Sequence, residues 1–304
     1  MPISHAADSF PFGRGGRFHR GNMHTHSTNS DGVHPPEKVC AAYREAGYDF
    51  LVLSDHFMED YRYPVTDTRP YRTRDFTTIL GAELHAPETE LGELWHFKAV
   101  GLPPDFEPNR PGESGPEVAA RAYAAGAFIG IVHPSWYGLT RKDAEAVPFA
   151  HAVEIYNHGS AVEVDRGHDW PYLDALLNEG RRMSGYASDD AHYLTHDFLG
   201  GWVMVQADER DPDALLASLK AGRYYSSQGP EIRDIEIVGD EVVVRCSSAR
   251  AISVVGRGSK SQSQVGDGLE QARLRIKRFN GSWFRVTVID NEGKKAWSNP
   301  IWLD

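Results

Sequence analysis

The stretch "GNMHTHSTNSDGVHPPEKV", Gly21 to Val39, sets His24, His26, Asp31 and His34 between a short β-like run and a helical pattern that opens on two prolines. A His-x-His pair at the end of a strand projects two imidazoles from one face, because strand side chains alternate with period two. In isolation such a pair is most often a surface feature. Here it has company, because the chain repeats the same order of apolar run, polar cluster and helix. "YDFLVLSDH" ends on Asp55 and His56, "FTTILGAELH" carries Glu83, and "AFIGIVHP" ends near His133. "HAVEIYNH" ends on Tyr156, Asn157 and His158, and "RMSGYASDDAH" on Asp189, Asp190 and His192.

Between these runs lie "PPEKVCAAYREAGY", "GPEVAARAYAAGA", "WPYLDALLNEGRR" and "DPDALLASLKAGRYY". Their apolar residues recur at i, i+3 and i+4, with Pro at the start or Gly near the stop, as helices require. Strands alternating with helices predict βαβ units and a mainly parallel sheet, an α/β fold whose chemistry collects at the carboxyl ends of the strands. One segment, "AELHAPETELGELWHFKAVGL", has a Gly-containing turn and no room for a helix, and predicts a hairpin that returns His96 towards Glu83. After about Gly229 the texture alternates apolar and polar residues between Gly-Asp, Asn-Gly and Asn-Glu-Gly turns. That pattern predicts a small β-sandwich over 230–304, following a unit that spans 1–229. Trp283, Trp297 and Trp302 in that module read as packing residues.

Composition narrows the function classes. The chain is 40% hydrophobic and 25% charged over 304 residues, which fits a soluble globular protein rather than a disordered one. No apolar run approaches the roughly 20 residues that span a bilayer, so membrane insertion is not expected. The first residues, "MPISHAADSFPFGRGGRFHR", lack the apolar core of a secretory signal, and a cytoplasmic location is the expectation. A net charge of -11 argues against binding a nucleic-acid polymer through a basic surface. Cys40 and Cys246 show no metal or disulfide spacing and read as packing residues. The expected partner is a small-molecule substrate, with homo-oligomerisation left open.

The donors exceed what one ion needs. His24, His26, Asp31, His56, Glu83, His96, His133, Asp190 and His192 all fall at strand ends or in the hairpin beside them. Zinc commonly takes about four ligands, so this set suggests two or three ions and a bridging carboxylate, for which Glu83 is the candidate. His34 reads as part of the first helix start, while His5, His19, His151, His168 and His196 lack a partner pattern. His85, two residues beyond Glu83, is the strongest of the histidines set aside.

With these motifs in order, the chain resembles a known family. "HTHSTNSDG", "LSDH", "GAEL" followed by "HFKAVG", "VHP" and "SDDAH" look like the successive motifs of the PHP (polymerase and histidinol phosphatase) domain, over about Gly21 to Gly229. More narrowly, "HPSWYGLT", "EIYNHGS", "ASDDAHY", "YYSSQGPEI" and "AWSNPI" resemble the PHP metallohydrolases that include carbaryl hydrolases of the CehA/McbA type. The resemblance implies a distorted, TIM-like (β/α)7 barrel followed by an immunoglobulin-like β-sandwich. It also implies two or three divalent metal ions, Zn, Mn or Fe.

Carried over position by position, the resemblance gives His24, His26, Glu83 and Asp190 to a first metal. Glu83, His96 and His133 go to a second, and Asp31, His56 and His192 to a third. The chemistry implied is attack by a hydroxide shared between two cations, with Asp190 or Asp31 as the catalytic proton carrier. Trp136, Tyr156, Asn157 and His158 lie just beyond strands, where they suit the binding of an aryl or nucleobase-sized group. Arg17, Arg62, Arg72 and Arg182 are candidate phosphate partners. The leading expectation is hydrolysis of a small phosphate ester. The alternatives are an aryl carbamate or carboxylic ester hydrolase, as the closer subgroup suggests, and a catalytically inactive PHP binding module.

Overall fold

The computed structural model describes residues 10–303, so His5 lies outside the described residues. The chain opens with β1 (Arg17–Asn22), β2 (Phe50–Leu51), β3 (His56–Phe57), β4 (Thr77–Thr78), β5 (Gly81–Ala86) and β6 (Trp95–Val100). It continues through β7 (Phe128–Ile131), β8 (Ala152–Asn157), β9 (Ser184–Ser188), β10 (Trp202–Ala207) and β11 (Tyr224–Ser227). Antiparallel strands complete it: β12 (Ile232–Val238), β13 (Glu241–Gly256), β14 (Ser261–Arg275), β15 (Ser282–Ile289), β16 (Lys295–Ser298) and β17 (Ile301–Leu303). Interspersed are α1 (Pro36–Glu45), α2 (Gly115–Ala124), α3 (Pro134–Tyr137), α4 (Arg141–Glu145), α5 (His158–Val164), α6 (Trp170–Asn178) and α7 (Pro212–Lys220).

The helices begin where local chemistry lets them. α1 starts on a proline, whose missing N–H is an orphan at that position in any helix, and buries Val39, Cys40 and Tyr43. Ser114 and Glu117 form a reciprocal capping box on α2, and Asp211 accepts the first free N–H groups of α7.

The result is a mixed α/β fold with parallel strand pairs. One sheet of six strands runs β3-β5-β6-β7-β8-β9, parallel except where β6 lies antiparallel to both neighbours. The other orders β12-β13-β15-β16-β11-β10-β1-β2-β4, with β14 on β13 and β17 on β15. The two sheets approach at the parallel bridge Thr25↔Ala191 and along 50–57, whose two halves belong to different sheets. Among the described residues the ladders draw no closed ring, which departs from the expected TIM-like barrel. The run 50–57 breaks after Leu51, where the Ser54 N–H bonds to the Thr25 carbonyl and the Asp55 side chain takes up the Ser27 N–H.

The C-terminal strands also differ from the separate sandwich expected. Their ladder continues the sheet that holds β1, β10 and β11, because β16 pairs with β11 in the register Tyr225↔Ser298 and Ser226↔Trp297. Pairing satisfies backbone groups that β11 would otherwise expose as an open edge. Register shifts between Arg245 and Ala251 bend the long β13, so that it serves β12 at one end and β15 at the other. Trp283 and Trp297 are buried in one cluster with Trp170 and Leu173 of α6, and Arg285 pairs with Asp174 at 3.0 Å. Cys40 and Cys246 are both buried and free. No helix among the described residues is long and apolar enough to cross a membrane.

Candidate metal centre

The hairpin of β5 and β6 sets Glu83 opposite Lys98 and His85 opposite His96, so all four side chains share one face. Glu83 is fully buried, and its two oxygens face different sets of imidazoles. Oε2 lies 3.1 Å from His24 Nε2, 3.2 Å from His56 Nδ1 and 3.4 Å from His26 Nε2. Oε1 lies 2.9 Å from His96 Nδ1 and 3.4 Å from His133 Nε2. Asp190 closes the first set, its Oδ1 at 2.9 Å from His24 Nε2 and 3.0 Å from His26 Nε2.

Ligand-type atoms fall into four overlapping groups, each within 4.8 Å: His24, His26, Glu83 and Asp190; Glu83, His96 and His133; His26, Asp31, His56 and His192; and His56, Glu83 and His85. The structure therefore brings together all nine residues nominated as ligands, and adds His85. This donor set suits divalent cations: nitrogen and oxygen donors meet head-on, one carboxylate is shared, and thiols are absent from it.

Local sequence explains how these side chains converge. The loop after His26 folds back on itself, with the Gly32 N–H on the Ser27 carbonyl. A Cβ at Gly32 would come within 2.6 Å of the His26 backbone. Asp55 of "LSDH" is no donor in these groups; it anchors that loop by accepting from the Ser27 N–H, Ser27 Oγ, Ser30 Oγ and Thr66 Oγ1. Asp31 and its partner His192 Nε2 then meet at 3.4 Å across the mouth. His133 (φ 23°) and Asp190 (φ 56°) both hold left-handed backbone, a strained geometry that aims strand-end side chains inward.

A further layer of residues orients the donors. His24 Nδ1 bonds to Glu154 Oε1 at 2.8 Å, which leaves Nε2 towards Glu83. His192 Nδ1 lies 2.9 Å from the Asp190 carbonyl, which leaves its Nε2 towards Asp31. His56 Nδ1 lies 2.7 Å from His85 Nε2. Asp189, next to Asp190 in sequence, turns away and accepts from Tyr43 Oη, Asn22 Nδ2 and the N–H groups of Leu199, Gly200 and Gly201.

Burial opposes charge on these groups, yet mutual pairing keeps it. At Glu83 burial is outweighed by the charges of His24, Lys98 and His56, which hold the carboxyl well below its ordinary range. Asp190 is held low against burial by His24 and His26. Asp31 is likewise held low, by hydrogen bonds to His192 and His56. On the other side of the same pairs, Glu83 and Asp31 overcome burial to lift His56 to about 10, and Asp31 and Asp190 lift His192 to about 9. His26 is lowered by burial first, then by the like charges of His192 and His56.

A cavity of about 320 Å³ opens over the donors. Met58, Tyr61, Leu94 and Trp136 wall it, Ser160 and Glu163 line its polar side, and Asp31, His56 and Asp190 form part of its floor. Of the residues nominated for substrate, Trp136 lines this cavity, while Tyr156, Asn157 and His158 do not. Asn157 is buried; its Nδ2 donates to Glu154 and Asp190, and its Oδ1 caps α5 through the Ser160 N–H. Tyr156 Oη pairs with His158 Nδ1 at 2.9 Å, away from the donors. None of Arg17, Arg62, Arg72 and Arg182 lines the cavity.

No protein-family model matches the chain, and no curated protein matches it. Among solved structures it is similar to a two-domain protein from Bacteroides vulgatus containing a predicted PHP-like metal-dependent phosphoesterase. That likeness has 15% identity and a TM-score of 0.55, and covers 92% of this chain and 93% of that one. A proposed metal-dependent phosphoesterase from Bifidobacterium adolescentis matches at 14% identity and TM-score 0.43, covering 57% of this chain and 87% of its own. An amidohydrolase from Chromobacterium violaceum, solved with bound sulfate and no metal, matches at 13% identity and TM-score 0.45, covering 59% and 89%. The likeness to the Bacteroides protein runs over nearly the whole chain and is one of fold.

Proposed function

We propose that this chain is a PHP-type, metal-dependent hydrolase of small phosphate esters, with catalysis in residues 1–229 and an appended module at 230–304. The observation that carries the reading is Glu83, one buried carboxylate whose two oxygens serve two sets of imidazoles. His24, His26, Glu83 and Asp190 would hold one divalent ion, Glu83, His96 and His133 a second, and Asp31, His56 and His192, beside His26, a third. Zn, Mn or Fe bound there would supply a water activated near neutral pH and draw charge from the attacked centre.

The chain's own residues do the rest. Glu154 fixes the tautomer of His24, and Asn157 holds Asp190 Oδ2 so that Oδ1 stays with His24 and His26. Of Asp31 and Asp190, both of which line the cavity, Asp31 is the more solvent-accessible, which favours it over Asp190 for exchanging a proton with the leaving group. Trp136 and Leu94 seat the organic part of the substrate, and three cation positions would balance a phosphate dianion.

A second reading rests on the cavity wall. Met58, Tyr61, Leu94 and Trp136 are apolar or aromatic, and no Lys or Arg lines the cavity among the described residues. Such a wall suits an uncharged aryl carbamate or carboxylic ester, the substrate class of the CehA/McbA subgroup that the motifs resemble. The test is elemental analysis of protein purified without chelator, followed by turnover of p-nitrophenyl phosphate and of an aryl N-methylcarbamate on the same sample. Two or three ions with phosphate release are expected; carbamate cleavage alone transfers the conclusion to the second reading. Fewer than one ion per chain and no turnover after adding Mn or Zn overturn both, and leave a binding module.

A further inference from the structure

We infer that Lys98 is a positioning residue for the metal centre, a cation built into the protein beneath the donors to offset their carboxylates. The inference rests on the metal-dependent reading above. Lys98 lies in β6, directly across from Glu83, and its side chain is fully buried. A lysine is almost never fully buried without a compensating charge, because removing an ammonium from water is expensive. Yet its hydrogen bond is to a neutral group: Nζ donates to Ser54 Oγ at 2.8 Å. Among the described residues no carboxylate lies within ion-pair distance of it.

The compensation comes instead from carboxylates around it. Burial pushes the Lys98 ammonium below its ordinary value, and the charges of Glu83, Glu154, Asp190 and Asp55 oppose that push. Glu83 and Asp190 are donors of the first group, and Glu154 bonds to His24 beside them. Glu83, Glu154 and Asp55 are buried to 1% exposure or less, so their repulsion is weakly screened. Ser54 ties the ammonium in place, since Ser54 Oγ also meets the Thr25 backbone at 3.3 Å, next to His24 and His26. Lys98 thus stands where its charge opposes carboxylate repulsion without occupying a ligand position.

This arrangement separates two kinds of role. If Lys98 merely fills space, replacing it with the similarly shaped Met weakens the metal-free and metal-loaded proteins alike. If its charge matters, the metal-free protein suffers more, because bound cations take over the neutralisation. The experiment is thermal unfolding of full-length wild type and Lys98→Met after chelator dialysis, with and without saturating Mn, together with Mn titration by calorimetry.

In Lys98→Met the metal-free Tm is expected to fall by roughly 6–10 °C, as for loss of one partner from a buried charge cluster in a chain this long. Mn should restore more than half of that loss, and Mn affinity should tighten roughly tenfold, because the metal now relieves more repulsion. Equal losses with and without Mn, at unchanged affinity, overturn the inference and leave packing. A wild type that neither binds Mn or Zn nor gains Tm from them overturns the metal-dependent reading itself, whatever Lys98 does. If Lys98→Met does not accumulate, Lys98→Gln is measured the same way, and accumulation only with added metal supports the inference.

Discussion

Two interiors of this molecule are buried to the same degree and built from opposite chemistry. Around the strand ends of the metal centre, His24, Glu83, Glu154 and Asn157 are all at 0% exposure. Under the C-terminal strands the same exposure belongs to Val242, Val244, Ile252, Phe284, Val286 and Val288. Burying the second set favours folding, at about 25 cal/mol for each Å² of apolar surface removed from water. Burying the first set opposes folding, and it persists because each charge has a partner at 2.8–3.4 Å. One interior holds the fold, and the other is held by it.

The largest expected effect is at the shared carboxylate. Glu83→Gln puts an amide among the His24, His56 and His96 nitrogens and removes the charge common to two donor groups. Activity should fall by well over 100-fold, since even residues that only orient a ligand are worth about 10–100-fold. Metal content, read by elemental analysis, should fall with it while circular dichroism stays native. Retained metal and turnover would mean the two oxygens are not bridging anything.

The converse substitution is Phe284→Ala, in the other interior. Phe284 packs against Phe279 among buried Val and Ile side chains, and its loss should cost about 3–5 kcal/mol in denaturant unfolding. Metal per folded molecule should not change. If metal content falls in proportion, the two interiors are not separable.

A smaller effect sharpens the boundary of the metal centre. Glu154 touches His24 Nδ1, the His133 backbone N–H and Asn157 Nδ2, at 2.8–2.9 Å each. Glu154→Gln keeps the shape but places an amide against one of these donors, and should weaken metal binding by about 10–100-fold. Calorimetric titration with Mn reads this directly; an unchanged affinity would confine the centre to the donors themselves.

What the sequence disclosed follows the same division. His24, His56, His133, Asp190 and His192 were legible because each ends a β-like run, where a parallel sheet gathers its chemistry. Period two placed His85 on the face of Glu83, but its neighbours His56 and His96 come from other strands, and inter-strand register is not written locally. Glu154 and Lys98 were hidden inside runs that read as strand interior, "HAVEIYNH" and "HFKAV". Asn157 looked like a mouth residue because it ends β8, yet α5 begins at once and folds it under as a cap. The alternating texture past Gly229 announced antiparallel strands, while their docking onto β11 depended on an edge that only the folded sheet presents.

The smallest expected effect lies outside both interiors and tests whether acid sensitivity belongs to the metal centre alone. His151 stands at the start of β8, stacked on Phe128 and accepting the Ile129 N–H at Nδ1. Burial, then the nearby Lys220 charge, lowers it from 6.5 to about 4. Between those values the unfolded chain takes up a proton that the folded protein refuses, so this contribution is intact above about pH 6.5 and is lost as pH falls towards 4. The ring is partly exposed, and screening reduces the loss to on the order of 1–2 kcal/mol. His151→Gln keeps an acceptor for Ile129 and removes the titration, so its stability should fall less steeply than wild type across that window in parallel urea melts. Identical slopes would take His151 out of the acid limb and leave it to the other imidazoles that burial lowers: His26, His85 and His96 around Glu83, and His158 and His168 away from it.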